Sequence, residues 1–208
     1  MEKSKTTSLL VLGIGNILWA DEGFGVRCVE ELNARYEFGD DVVVMDGGTQ
    51  GLYLLPYVED ARRLIVFDAV DYGRAPGEIV VATDDDVPRF MGAKKMSLHQ
   101  TGFQEVIMCA ALKENLPESL VLIGVQPEEL EDFGGSLRDP VKQQIPRVLD
   151  IALEWMTRWG VSYRPRQVAE ERARLNCAVL EMDAYESGRP SAEEACRVGD
   201  ARFLEGMD

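Results

Sequence analysis

Five residues of this chain have the type and placement to hold a cation: Asp21, Glu22, Asp46, Asp68 and His99. Asp21 and Glu22 follow the glycine-rich stretch LVLGIGNILWADEGFG, where a phosphate-binding turn would carry neutral or basic residues. Asp46 ends the run VVVMD ahead of Gly47, Gly48 and Thr49, and Asp68 ends the run LIVFD. His99, the only histidine, stands in the loop KKMSLHQTG two residues before Thr101, the expected cap of a helix. The positive end of that helix disfavours imidazolium and so favours the neutral ring that a metal requires. A neutral imidazole with two carboxylates suits a borderline divalent ion such as Ni²⁺ or Zn²⁺.

Each of these residues also has a plainer role. Asp21 reads as a helix N-cap, Glu22 as a first-turn acid facing the helix dipole, and Asp46 as a turn residue before two glycines. Asp68 reads as the cap of the next turn and His99 as a surface side chain. Other chemistries fit less well. Gly13 and Gly15 supply G-x-G, but the third glycine of a dinucleotide fingerprint falls on Leu18, and an acid at the helix start opposes a pyrophosphate. There is no G-x-S-x-G elbow, and one histidine cannot make H-E-x-x-H.

The elements that must position these side chains are visible as apolar, β-rich runs at 8–14, 42–45, 64–67, 78–82 and 119–125, most of them separated by helical patterns. Such alternation predicts an α/β fold with a largely parallel sheet covered on both faces. Ligands then sit beyond the carboxyl ends of the strands, where the three acidic positions fall. The first helix is expected from Asp21 to about Tyr36, with Phe24, Cys28, Leu32 and Tyr36 on one face, and a shorter one over 50–59. A third opens on a capping box at Thr101 and Gln104, with Phe103, Ile107, Ala110 and Ala111 inward. A fourth runs from Asp139 and Pro140 to Gly160, kinked at Pro146.

A chain of 208 residues suits one domain, here 1–160, followed by a helical extension over 161–208 rich in Arg, Glu and Ala. Two amphipathic helices fit the extension, one carrying Leu175, Val179 and Met182, the other capped at Ser191. With 37 acidic against 22 basic residues the net charge is −15, which argues against nucleic acid and anionic membranes as partners. Cys28, Cys109, Cys177 and Cys196 lie far apart, with neither zinc-knuckle nor disulfide-scaffold spacing, and read as reduced thiols of a cytoplasmic protein. Lys3 and Lys5 before an apolar run mimic a signal peptide, but Gly13, Gly15 and Asn16 interrupt that run as a strand and turn would. No segment has the roughly 20 apolar residues needed to span a bilayer.

The blocks LVLGIGNILWADEGFGVR, VVVMDGGTQGLYLLPYV, LIVFDAVDYGRAPGEI, SLHQTGFQEV and LVLIGVQPEELE, in this order, resemble the maturation endopeptidases of [NiFe]-hydrogenases. The resemblance covers residues 9 to about 159 and implies a three-layer sandwich around a twisted, mostly parallel five-stranded sheet. It implies that Glu22, Asp68 and His99 are the metal-binding and catalytic set, and that DGGT, Asp46 to Thr49, shapes the cleft wall with amides that bind the substrate tail. The implied reaction removes a C-terminal extension from the hydrogenase large-subunit precursor. Nickel arrives with the substrate, and no tightly bound metal of the enzyme's own is expected, nor is membrane insertion; a monomer is expected. The loop DFGGSLRDPV departs from the family's tighter turn and puts the implied specificity in doubt. Two other readings stay open: a non-enzymatic nickel-binding accessory protein, which needs the same residues, and a nucleotide-dependent oxidoreductase built on Gly13 and Gly15.

Overall fold

The computed structural model describes residues 5–84, 86–87, 98–167 and 174–190, with the side chains of 98–101 outside the description. Strands β1 (Thr7–Ile14), β3 (Val42–Gly48), β4 (Ala61–Ala69), β5 (Ile79–Thr83) and β6 (Ser119–Val125) form one sheet in the order β3-β1-β4-β6-β5. The pairs β1/β3, β1/β4 and β4/β6 are parallel, and β5 closes one edge antiparallel to β6. Successive side chains of a strand point to opposite faces, so an unbroken apolar run feeds two cores at once. Leu9 and Val11, Ile65 and Phe67, and Val121 and Ile123 pack on one face with helices α1 (Phe24–Arg35) and α5 (Ile145–Arg158). Leu10 and Leu12, Leu64 and Val66, and Leu120 and Leu122 fill the other, with α2 (Leu55–Asp60) and α3 (Leu98–Leu112). This is the expected three-layer α/β sandwich.

The helix boundaries differ from those the sequence suggests, each for a physical reason. Asp21 is not the N-cap of α1: it sits in a 3-10 turn, Ala20–Gly23, and α1 begins at Phe24 with Gly23 as cap. Phe24, Cys28 and Leu32 are buried as expected, but Tyr36 has left the helix for β2 (Tyr36–Phe38). Helix α3 starts at Leu98, so Thr101 is inside it rather than capping it, and Val106 is buried where Ala111 is exposed. The fourth helix is broken rather than kinked. Pro140 falls in the first turn of the short α4 (Asp139–Lys142) and Pro146 in the first turn of α5, positions where a missing N–H costs nothing.

Past Gly160 the chain turns back onto the body. Strand β7 (Tyr163–Pro165) pairs antiparallel with β2, a 3-10 turn covers Ala178–Leu180, and α6 (Met182–Gly188) follows. Leu175 and Met182 pack on the α1/α5 core, whereas Val179 is 73% exposed, so these three do not share one helical face. The cap expected at Ser191 lies outside the described residues.

Candidate active site at the carboxyl ends of β1, β3 and β4

The glycines of the opening stretch serve backbone contact. A Cβ on Gly25 would come within 2.2 Å of the Phe67 carbonyl oxygen and 2.3 Å of that of Ile14, so α1 starts directly on the ends of β4 and β1. A Cβ on Gly15 would lie 1.8 Å from the Glu22 carbonyl oxygen, which accepts the Asn16 N–H at 3.1 Å. The 3-10 turn therefore lies tight against the turn after β1 and touches β4. Ala20 within it has φ 38°, a left-handed conformation costing on the order of 1–3 kcal/mol, held by its neighbours.

Asp21 and Glu22, adjacent in sequence, have different environments. Asp21 is fully buried and accepts the backbone N–H groups of Glu128, Glu129 and Arg138 at 2.8, 2.9 and 2.7 Å. It staples the turn to the loop that follows β6, and Trp19 packs edge-on to Phe133 of that loop at 5.2 Å. The departing segment DFGGSLRDPV is thus part of the frame around the acids. At Glu22 burial dominates and pushes the carboxyl up to about 7.

Asp68, only 4% exposed, ends β4 beside Gly124 of β6. In the sheet register Gly13 is flanked by Asp46 on β3 and by Phe67 on β4, so Asp46 and Asp68 stand at the same end of the sheet, about two strand spacings (~10 Å) apart. Burial, and next the charge of Asp68, raise the phenol of Tyr72 well above its ordinary value, which places that ring near the carboxylate. The sequence reading did not single out Gln126. This buried amide accepts N–H groups of Tyr72 (2.8 Å) and Arg74 (3.1 Å) and donates to Asp71 (3.0 Å), tying the loop after Asp68 to the end of β6. A polar residue directly after a fully apolar strand was its signal.

DGGT forms the end of β3 and the turn out of it: the Gly15 N–H donates to Gly48 O at 3.0 Å, and Gly48 and Gly51 have φ +46° and +52°. Helix α3 packs on the 3-10 turn Gly51–Leu54, and a Cβ on Gly102 would meet Gly51 Cα at 3.4 Å. His99 is in the first turn of α3, not in a loop, one helical turn before that contact; its side chain lies outside the described residues. Glu22, Asp46 to Thr49 and Asp68 are thus gathered at one end of the sheet, and the backbone of His99 enters on the same side as the DGGT turn. Among the described residues, no three His, Cys, Asp or Glu side chains form a metal-holding group. A cavity of about 520 Å³ lies elsewhere, between α1, α5 and residues 174–183.

A family model for hydrogenase maturation proteases matches residues 26–155. The chain belongs to this family. The protease is 60% identical to the hydrogenase expression/formation protein HoxM of Azotobacter vinelandii over 197 residues, 95% of this chain and 94% of that one. It is 38% identical to the hydrogenase 2 maturation protease of Escherichia coli, which is covered over 99% of its length by 78% of this chain. The solved structure of the E. coli hydrogenase maturating endopeptidase HYBD superposes with a TM-score of 0.72 at 38% identity, over 77% of this chain and 98% of its own. The family and this endopeptidase fold make the chain a hydrolase acting on peptide bonds, as expected, and leave the nucleotide-dependent oxidoreductase without support. No described helix is long and apolar enough to cross a membrane.

Proposed function

We propose that this protease removes the C-terminal extension of a [NiFe]-hydrogenase large-subunit precursor after nickel insertion, and that Glu22, Asp68 and His99 reach the nickel carried by that substrate. The observation that carries the reading is Glu22, whose burial raises its carboxyl to about 7 at the same sheet end as the buried Asp68. Two carboxyls withdrawn from water at one edge lower their free energy when a cation arrives, and a borderline ion accepts their oxygens together with an imidazole. The ion supplies polarisation of a carbonyl or of a water.

The chain's own residues do the rest. Glu22 holds a proton near neutral pH and gives it up when positive charge approaches. The rigid turn against Gly15 and Gly25 fixes the distance between that carboxyl and the scissile bond, and such positioning can lower a barrier by several kcal/mol. A carboxylate oxygen of the pair that is not bound to the ion accepts a proton from the attacking water. The amides of the Asp46 to Thr49 turn bind the substrate's tail. Free thiols at Cys28, Cys109 and Cys177 support work in the reducing cytoplasm.

The test is to incubate the full-length protein with nickel-loaded and with nickel-free large-subunit precursor, without added nickel, and to follow precursor mass. Cleavage of the loaded form alone, lost in His99→Ala with circular dichroism unchanged, is the expected result. Equal cleavage of both forms removes nickel recognition; no cleavage of either leaves a non-enzymatic accessory protein.

A further inference from the structure

A line of hydrogen bonds runs from α1 through the tail to the end of β3. Arg27, 3% exposed, donates through Nη1 to Glu30 Oε2 at 2.7 Å and to the Leu180 carbonyl at 2.5 Å, with its guanidinium 5.6 Å from the Tyr185 ring centroid. Asn176 Nδ2 donates to Glu30 Oε1 at 2.9 Å and to Asp46 Oδ2 at 2.8 Å. Farther along, Glu186 accepts from Lys142 and from Ser136. Residues 174–188 therefore form a strap over α1 that reaches the DGGT turn. All of it lies outside the matched span 26–155.

Where Asn176 meets Asp46 there is a cavity of about 430 Å³, lined by Val44, Asp46, Thr49 and Gln50 on one side and Leu175 and Asn176 on the other. It follows β3, the edge strand of the sheet, and among the described residues no strand pairs with the outer side of β3. An edge of this kind presents alternate N–H and C=O groups to an extended peptide, and the strand leads to the sheet end that holds Asp68. Among the described residues, Asp46 Oδ1 is buried without a hydrogen-bond partner, in the space beside Gly48, where a Cβ would lie 3.4 Å away. A buried acceptor with no donor is costly, and a peptide N–H brought into the groove would relieve it.

We infer that Asn176 is a positioning residue for the substrate: it clamps Asp46 Oδ2 and keeps Oδ1 for an N–H of the extended peptide laid along β3. The inference rests on the protease reading above and adds to it a selective element contributed by the tail. A neutral amide is required here, because its two N–H groups face two carboxylates. Asn176→Asp sets a third negative charge against Glu30 and Asp46.

The experiment measures kcat and KM for cleavage of the nickel-loaded precursor by full-length wild type, Asn176→Ala, Asn176→Asp and Glu186→Gln. Glu186→Gln loosens the strap at its other end without touching Asp46. The expected result is a KM raised about tenfold in Asn176→Ala and further in Asn176→Asp, with kcat within about twofold of wild type and Glu186→Gln near wild type in both constants. A wild-type KM in Asn176→Ala overturns the inference. So does an equal rise in Glu186→Gln, which makes the effect one of strap docking in general. Failure of wild type to cut the precursor defeats the protease reading itself, and this inference with it.

Discussion

The carboxyl end of the sheet and the strap over α1 are held together by different kinds of contact. At the sheet end the frame is mainly backbone against backbone, Gly25 on the carbonyls of Phe67 and Ile14 and Gly15 on that of Glu22, with one side chain, the Asp21 carboxylate, accepting three loop N–H groups. The strap is held by side chains, through Arg27, Asn176, Lys142 and Glu186. The difference teaches where each region tolerates change. A backbone frame survives replacement of the carboxyls it presents, so substitutions at the sheet end separate chemistry from folding. A frame of side-chain contacts does not, so substitutions in the strap move stability and binding together.

The sharpest way to break this comparison is Asp68→Asn, which keeps the shape of a strand-end side chain and removes the charge that a metal ion requires. Cleavage of the nickel-loaded precursor should fall by more than about 100-fold while the melting temperature stays near that of wild type. Substantial processing by this variant refutes the assignment; a collapsed fold refutes the claim that backbone contacts carry the frame.

Removing residues 163–208 tests the other region. It deletes the β2/β7 pair and leaves the buried guanidinium of Arg27 without the Leu180 carbonyl and the Tyr185 ring. The expected loss is about 3 kcal/mol, roughly 6–12 °C in melting temperature for a domain of this size. Turnover at saturating precursor should persist, because Glu22, Asp68 and His99 all precede the cut. A truncation that melts like wild type means the strap contacts contribute nothing; one that is folded but inactive at saturation means the strap forms the catalytic site itself.

The contrast also explains what could be read from sequence. The central strands β1, β4 and β6 were legible because a strand buried on both faces is apolar nearly throughout, the edge strands β3 and β5 as short β-branched runs, and Asp46 and Asp68 as polar residues toward the ends of such runs. Asp21 was misread because the same residue type caps helices and binds loop amides. Its real partners, Glu128, Glu129 and Arg138, are more than 100 residues away. The break at Gln143 and Gln144 was read as a kink because a proline inside a helix and a proline starting one look alike until the turn before it is known. The strap was illegible for a different reason. Its stability comes from single polar contacts such as Asn176 to Asp46, which leave no periodic trace, and its Arg- and Glu-rich composition matches that of a solvated helix.

The smallest expected effect belongs to Glu22, and it has opposite signs in the two measurements. Burial holds its carboxyl near 7 in the folded protein against 4.5 for the ordinary group. The folded state therefore keeps a proton that the unfolded chain has lost. The stability this contributes is fully present below pH 4.5 and is lost as pH rises through 7. Glu22→Gln cannot ionise, so it should melt slightly above wild type at pH 8 and level with it at pH 4.5. Cleavage should respond the other way. Glu22→Gln loses a ligand for the substrate's cation at every pH, and wild-type cleavage should decline as pH falls from 8 to 6, because protons then compete with the cation for the same oxygens. A melting difference that grows toward acid pH would show that desolvation does not set the Glu22 carboxyl, and wild-type cleavage flat across that range would remove Glu22 from the cation-binding set.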